Sequence, residues 1–239
     1  MNSRNIMNKI SKLWSKAELK LLSKDIFKKY LNENNFPNDL PKKIDRGKLR
    51  NKCFLLYWSV ESVQIELGYM LIHLNSYNNY ELNKKEKNKE LAYMLFNHHQ
   101  FLCVEALYRV GERFTLLLLY IYKQEDDKRN YYYQNFYNDI KDVENFSKEC
   151  IQDLKNHQKH WNELAKERNM YSHAYSKLTD GINFELKHSS VLNQFGIPHI
   201  SVHETRNDLE SVFNNVKEKY LYLENMDKTI QLLLKEIGK

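Results

Sequence analysis

The sequence predicts an all-α protein, a bundle of long helices with one small extended or hairpin insert near residues 179–204. Three observations carry this reading. Six glycines and three prolines in 239 residues are too few to punctuate a strand-and-turn architecture. Apolar residues make up 42% of the chain and recur at spacings of three and four through most of it, which is the stripe of a packed helix. The stretch "TDGINFELKHSSVLNQFGIPHISVHE" instead loses helical period and holds the alternating segments "INFELKH" and "IPHISVH". No repeat of solenoid length is present, so residues 1–239 read as one domain with an N-terminal helical extension over 1–46.

The elements follow in order. A first helix is expected over about 3–30, with Ile6, Ile10, Leu13, Trp14, Leu21 and Ile26 near helical spacing. Pro37 and Pro41 in "NENNFPNDLPKK" end it, and a second helix is expected over about 47–75, closed by a turn at "NSYNNYELN". The next helix, about 84–123, starts in the solvated run "KKEKNKE" and ends in the almost wholly apolar "LCVEALYRVGERFTLLLLYIY". Within it Gly111 either kinks the helix or admits a close neighbour. After the charged connection "KQEDDKRN", one helix from about 131 carries Ile140, Val143, Phe146, Cys150, Leu154, Trp161 and Leu164 on a single stripe. Its start, "YYYQNFY", reads as core and dimer contact. A last helix, about 206–237, is capped by Thr205 or Asn207. It turns Leu209, Val212, Phe213, Val216, Tyr220, Leu223, Ile230, Leu233 and Ile237 inward.

Composition excludes several classes. The longest apolar run, "LLLLYIY", falls far short of the about 20 residues of a membrane span, and the first residues lack the apolar region of a signal peptide. Cys53, Cys103 and Cys150 are widely spaced within helical patterns and read as buried thiols of a reducing compartment, so a cytoplasmic protein is expected. The formal charge of +6 permits contact with a polyanion without requiring it. His157 and His160 form only an HxxH pair, and His98–His99 an adjacent pair pointing to different sides; no metal and no cofactor are expected.

The chemistry concentrates in "KERNMYSHAYSKL". With Trp161 as origin and about 100° per residue, Arg168 falls roughly 20° away and continues the buried stripe, while Asn169 and His173 lie together on another side. An unpaired guanidinium on that stripe is costly, so Arg168 either meets an acid (Glu61, Glu105 and Glu112 are the candidates) or lines a cleft open to an anion. Histidine moves protons near neutral pH, and the planar guanidinium holds a phosphate and stabilises developing charge. RNA supplies its own 2′-OH nucleophile, so this pair suits phosphodiester cleavage without a metal. Arg168 and His173 are roughly 140° apart on a straight helix, so they meet only if the helix bends or ends, or if a second subunit shares the pocket.

"RNMYSH" resembles the R-x4-6-H signature of the HEPN superfamily, helical bundles in which a polar residue often follows the arginine, as Asn169 does here. "RNMYSHAY" is also similar to the R-x4-H-x-Y pattern of HEPN toxins paired with nucleotidyltransferase antitoxins. The resemblance implies a homodimeric, metal-independent endoribonuclease of bacterial defence or toxin–antitoxin systems, with the motifs of two protomers meeting across the dimer. It implies His173 as general acid or base, Arg168 as phosphate holder, Asn169 as orienting residue and Tyr175 as a possible site of AMP attachment by the antitoxin. It leaves room for a non-catalytic HEPN-type module that binds RNA, a nucleotide or a protein partner. The chain is longer than the compact toxins, and it has Ala174 where many members have glycine.

Overall fold

The computed structural model describes residues 25–83, 86–123, 133–140, 147–169 and 206–237, and these are helical apart from short turns. Helices are numbered here as α1 (Arg46–Asn83), α2 (Glu86–Lys123), α3 (Tyr133–Ile140), α4 (148–169), α5 (Arg206–Leu221) and α6 (Leu223–Ile237). Side-chain contacts fix the topology. Tyr77 of α1 meets Tyr93 near the start of α2, and Cys103 further along donates to the Val63 carbonyl, so α1 and α2 run antiparallel. Arg168, Trp161 and His157 of α4 meet Glu105, Gly111 and Phe114 of α2, again antiparallel. Lys219, Tyr222 and Thr229 then descend along α4 against Glu167, His157 and His157 again. The result is an up-down-up-down bundle in which α5 and α6 together form the fourth member.

Each helix forms for legible reasons. Asp45 caps α1 by accepting the Lys48 amide at 3.0 Å, and Tyr120 clamps the Asp45 backbone from α2. The buried face of α1 is Leu49, Cys53, Leu56, Val60, Val63, Leu67 and Met70, at the spacing of one helical stripe. The late half of α2 is sealed from Val110 through Ile121 apart from a few positions, as its composition predicts. All three cysteines are buried and free. Among the described residues no helix is long and apolar enough to cross a membrane.

Four boundaries differ from the sequence expectation. The first helix does not reach Tyr30. The chain turns at Asp25–Phe27, where Phe27 takes a left-handed φ of 68°, and continues as a 3-10 turn over Lys28–Leu31. Burial of Phe27, Tyr30 and Phe36 outweighs the roughly 1–2 kcal/mol of a left-handed residue. Residues 1–24 lie outside the described residues. Likewise, "NSYNNYELN" is not a turn: α1 runs on to Asn83, because Leu74 and Tyr77 remain in the core and Asn78 reaches Glu210. Tertiary contact overrides the weak turn preference of asparagine.

The single helix expected from about 131 is two. Ser147 opens α4 anew, its Oγ accepting the Cys150 amide at 3.1 Å while its hydroxyl bonds Glu236. Finally, the last helix breaks at Tyr222 into α5 and α6, although the buried stripe from Leu209 to Leu233 stays in register across the break. Gly111 admits a neighbour without kinking α2, which is continuous through it: a Cβ there would lie 2.7 Å from the Trp161 ring. The insert at 179–204, the connection at 124–130, and Val143 and Phe146 fall outside the described residues.

Candidate functional site

Arg168 occupies the last described turn of α4. Cys150, Leu154, Trp161 and Leu164 hold α4 in the core, so the position of the arginine is inherited from packing. Its Nε donates to Glu105 Oε1 at 2.7 Å, and its guanidinium lies over the Tyr108 ring, 4.6 Å from the centroid. Glu105, Tyr108 and Glu112 share one face of α2 at spacings of three and four. The hydrogen bond from Arg168 to the Glu105 carboxylate raises the arginine's pKa further, with Tyr108 and Glu112 adding to it. The side chain is nevertheless 39% exposed. Of the three acids named from sequence, Glu105 is the partner; Glu61 instead accepts from the Tyr57 hydroxyl at 2.7 Å. Arg168 therefore sits at the edge of the buried stripe, pre-oriented on an aromatic face and open to solvent.

Asn169 follows on an exposed position of the same turn. His173 and Tyr175 fall outside the described residues. Tyr108 was not singled out from sequence; its signal was the i, i+3 spacing from Glu105 within an otherwise apolar helix. Beside Arg168, Glu167 pairs with Lys219 of α5, which ties the end of α4 to the fourth helix.

Two histidine groups lie elsewhere. His99 bonds Glu66 at 2.7 Å and stacks on Tyr69 and His73 between α1 and α2, with His98 edge-on to it. His157 is buried between α4 and α6. Tyr222 donates to its Nδ1 at 3.0 Å, and its Nε2 donates to Thr229 Oγ1 at 2.8 Å, which in turn donates to the Asn225 carbonyl. His160 stacks on Tyr222 with ring centroids 3.9 Å apart. Both rings border a groove of about 590 Å³ lined also by Glu149, Asp153, Glu163 and Lys228. Arg168 does not line this groove. Among the described residues no set of three or more histidine, cysteine and acidic side chains is placed to hold a metal ion.

These buried imidazoles make stability depend on pH. Burial, then neighbouring His160, pushes His157 down to about 3; burial, then Lys219, pushes His160 down to about 4. In the unfolded chain both titrate near 6.5, so below that pH the unfolded state binds more protons than the folded one. The stabilisation is complete above about pH 6.5 and is lost as pH falls toward 4 and then 3, at up to about 1.4 kcal/mol per pH unit for each ring. Thermal melts should therefore drop by several degrees between pH 7 and pH 5. A His157→Gln/His160→Gln variant should show a flatter profile; an unchanged slope would show that other groups set it.

Compared with known proteins, the chain matches no family model, no curated protein and no solved structure.

Proposed function

We propose that this chain is a metal-independent endoribonuclease of the HEPN type, acting as a homodimer in a bacterial toxin–antitoxin or phage-defence setting. The observation that carries the reading is Arg168: a guanidinium oriented by Glu105 and Tyr108, 39% exposed, one residue before Asn169 and five before His173. In this reading Arg168 holds the scissile phosphate and Asn169 orients it. His173 takes the proton of the ribose 2′-OH or returns one to the leaving 5′-oxygen. The 2′-oxygen attacks its own phosphate, the P–O5′ bond breaks, and a 2′,3′-cyclic phosphate is left behind. Two protomers would bring one chain's arginine to the other's histidine. Tyr175 would be the residue that a nucleotidyltransferase antitoxin modifies with AMP. The reading is tested by RNA cleavage in EDTA with the wild type and with Arg168→Ala and His173→Ala.

A second reading is a non-catalytic HEPN-type module that binds RNA, a nucleotide or a protein partner. The Arg168–Glu105 pair favours it, because a carboxylate already occupies part of the guanidinium. Glu105→Gln separates a phosphate-holding arginine from a structural one. Removal of the competing carboxylate should tighten RNA binding about three- to tenfold, equivalent to roughly 1 kcal/mol for a partly exposed charge pair. Fluorescence anisotropy with a labelled RNA measures this. Unchanged affinity would make Arg168 a structural ion pair.

A further inference from the structure

α1 presents a second face that nothing in the described bundle covers. Opposite its buried stripe lie Leu55, Trp58, Ser62, Ile65, Tyr69 and Ile72, spaced three, four, three, four and three apart, which is the seam of a helix packed lengthwise on another helix. Trp58 is 60% exposed, Ile65 49% and Leu55 45%, with Phe54 alongside at 46%. Isolated exposed apolar residues are ordinary, but an ordered ridge of them along one helix is a docking surface.

Three observations choose the occupant. The first is where the chain enters. Tyr57, one residue from Trp58, has its phenol pushed up to about 12 by its hydrogen bond to Glu61, by burial and by the nearby Asp25 carboxylate. Asp25 therefore lies beside the Trp58 end of the ridge, and residues 1–24 join the bundle there. The second is pattern. Met7, Ile10, Trp14, Ala17 and Leu21 are spaced three, four, three and four apart, the reverse of the order from Trp58 to Ile72. Both stripes span 14 residues, about 21 Å of helix. The third is charge. Glu61 and Glu66 border the ridge, whereas residues 1–24 carry Arg4, Lys9, Lys12, Lys16, Lys20 and Lys24 against Glu18 alone. A second copy of α1 would set acidic borders against acidic borders, and RNA would meet the same acids; the basic segment meets them with opposite charge.

We propose that residues 7–21 form a helix that docks antiparallel on the α1 ridge of the same chain, with Leu21 against Trp58, Trp14 against Ile65 and Met7 against Ile72. Ala17 and Ser62 are the small pair that lets the two helices approach. The fourth α1 face is thereby closed, and the N-terminal segment becomes a fifth member of the bundle. The proposal is independent of the ribonuclease reading.

Cysteine pairs in the full chain test it, since the native cysteines are buried. Trp14→Cys/Ile65→Cys and Leu21→Cys/Trp58→Cys are the in-register pairs, and Met7→Cys/Trp58→Cys joins opposite ends. Under dilute oxidising conditions both in-register pairs should close within one chain about tenfold or more faster than the control, because a disulfide needs Cα atoms within roughly 7 Å. Two in-register pairs guard against one variant failing to fold. Disulfides between chains would assign the ridge to a second copy and overturn the proposal. Closure of the control pair ahead of the others would overturn the antiparallel register. Equal, slow reaction of all three would show that residues 7–21 do not occupy the ridge.

Discussion

His173→Ala should lower RNA cleavage by about 10²–10⁴-fold, the range that a positioned general acid or base contributes. Arg168→Ala should lower it by about 10²–10³-fold, as loss of a donor to developing phosphate charge does elsewhere. Neither change should unfold the protein. Arg168 is 39% exposed and its ion pair with Glu105 is of the kind that contributes about 0–1 kcal/mol, so melts of Arg168→Ala should stay close to wild type. Arg168→Lys should rescue little. An ammonium keeps the charge but loses the planar fork that both lies on Tyr108 and donates to Glu105. A labelled RNA cut in EDTA, followed by identification of cyclic-phosphate ends, reads all three variants. If the wild type cuts and both alanine variants cut equally well, the assignment of these residues is wrong. A wild type that binds RNA without cutting it moves the protein to the second reading.

Gly111→Val should be the most damaging single substitution in the bundle. Position 111 lies where α2 and α4 touch, and even the first added carbon would meet Trp161 Cδ2 and Cε3 at 2.7 Å. Trp161 is only 5% exposed, and α4 is pinned on both sides by Leu154 and Leu164 below and by Thr229 against His157 across the bundle. The ring therefore has nowhere to move. Removing glycine from a helix interior gains up to about 1 kcal/mol of propensity. Overpacking costs about 1–3 kcal/mol and exceeds that gain when the neighbour is a rigid ring. Gly111→Ala should thus lose roughly 1 kcal/mol net, and Gly111→Val about 3 kcal/mol, or roughly 6–12 °C in melting temperature for a chain of this size. Trp161→Phe should partly restore Gly111→Val by shrinking the ring that clashes. Independence of the two substitutions would show that the contact is not the cause. Arg168 lies two helical turns beyond Trp161, so a displaced α4 should also weaken the Arg168–Glu105 pair and any activity that depends on it.

Much of this was legible in the chain itself. Helical content, the inward stripes of α2, α4 and α5–α6, the buried cysteines and Glu105 among three candidate acids follow from spacing and composition, because burial of an amphipathic face leaves a period of 3.6 in the sequence. Helix ends were less legible. Phe27 adopts a left-handed conformation, Tyr77 carries α1 past its asparagines, and Ser147 starts a helix where the apolar pattern runs on unbroken. In each case local preference is worth under about 1–2 kcal/mol and a distant contact decides.

By itself, then, the sequence determined that the chain folds as helices, which faces they bury and that Arg168 needs a partner. Only the tertiary structure decided which partner it has and how open it stays. Glu105 and Tyr108 come from a helix some sixty residues away, and the antiparallel register of α2 on α4, set where Gly111 receives Trp161, brings them under the guanidinium. Periodicity fixes a side chain's angle about its own axis; the neighbour it meets at that angle is fixed by how far one helix slides along another, and that is set by close packing at a few positions.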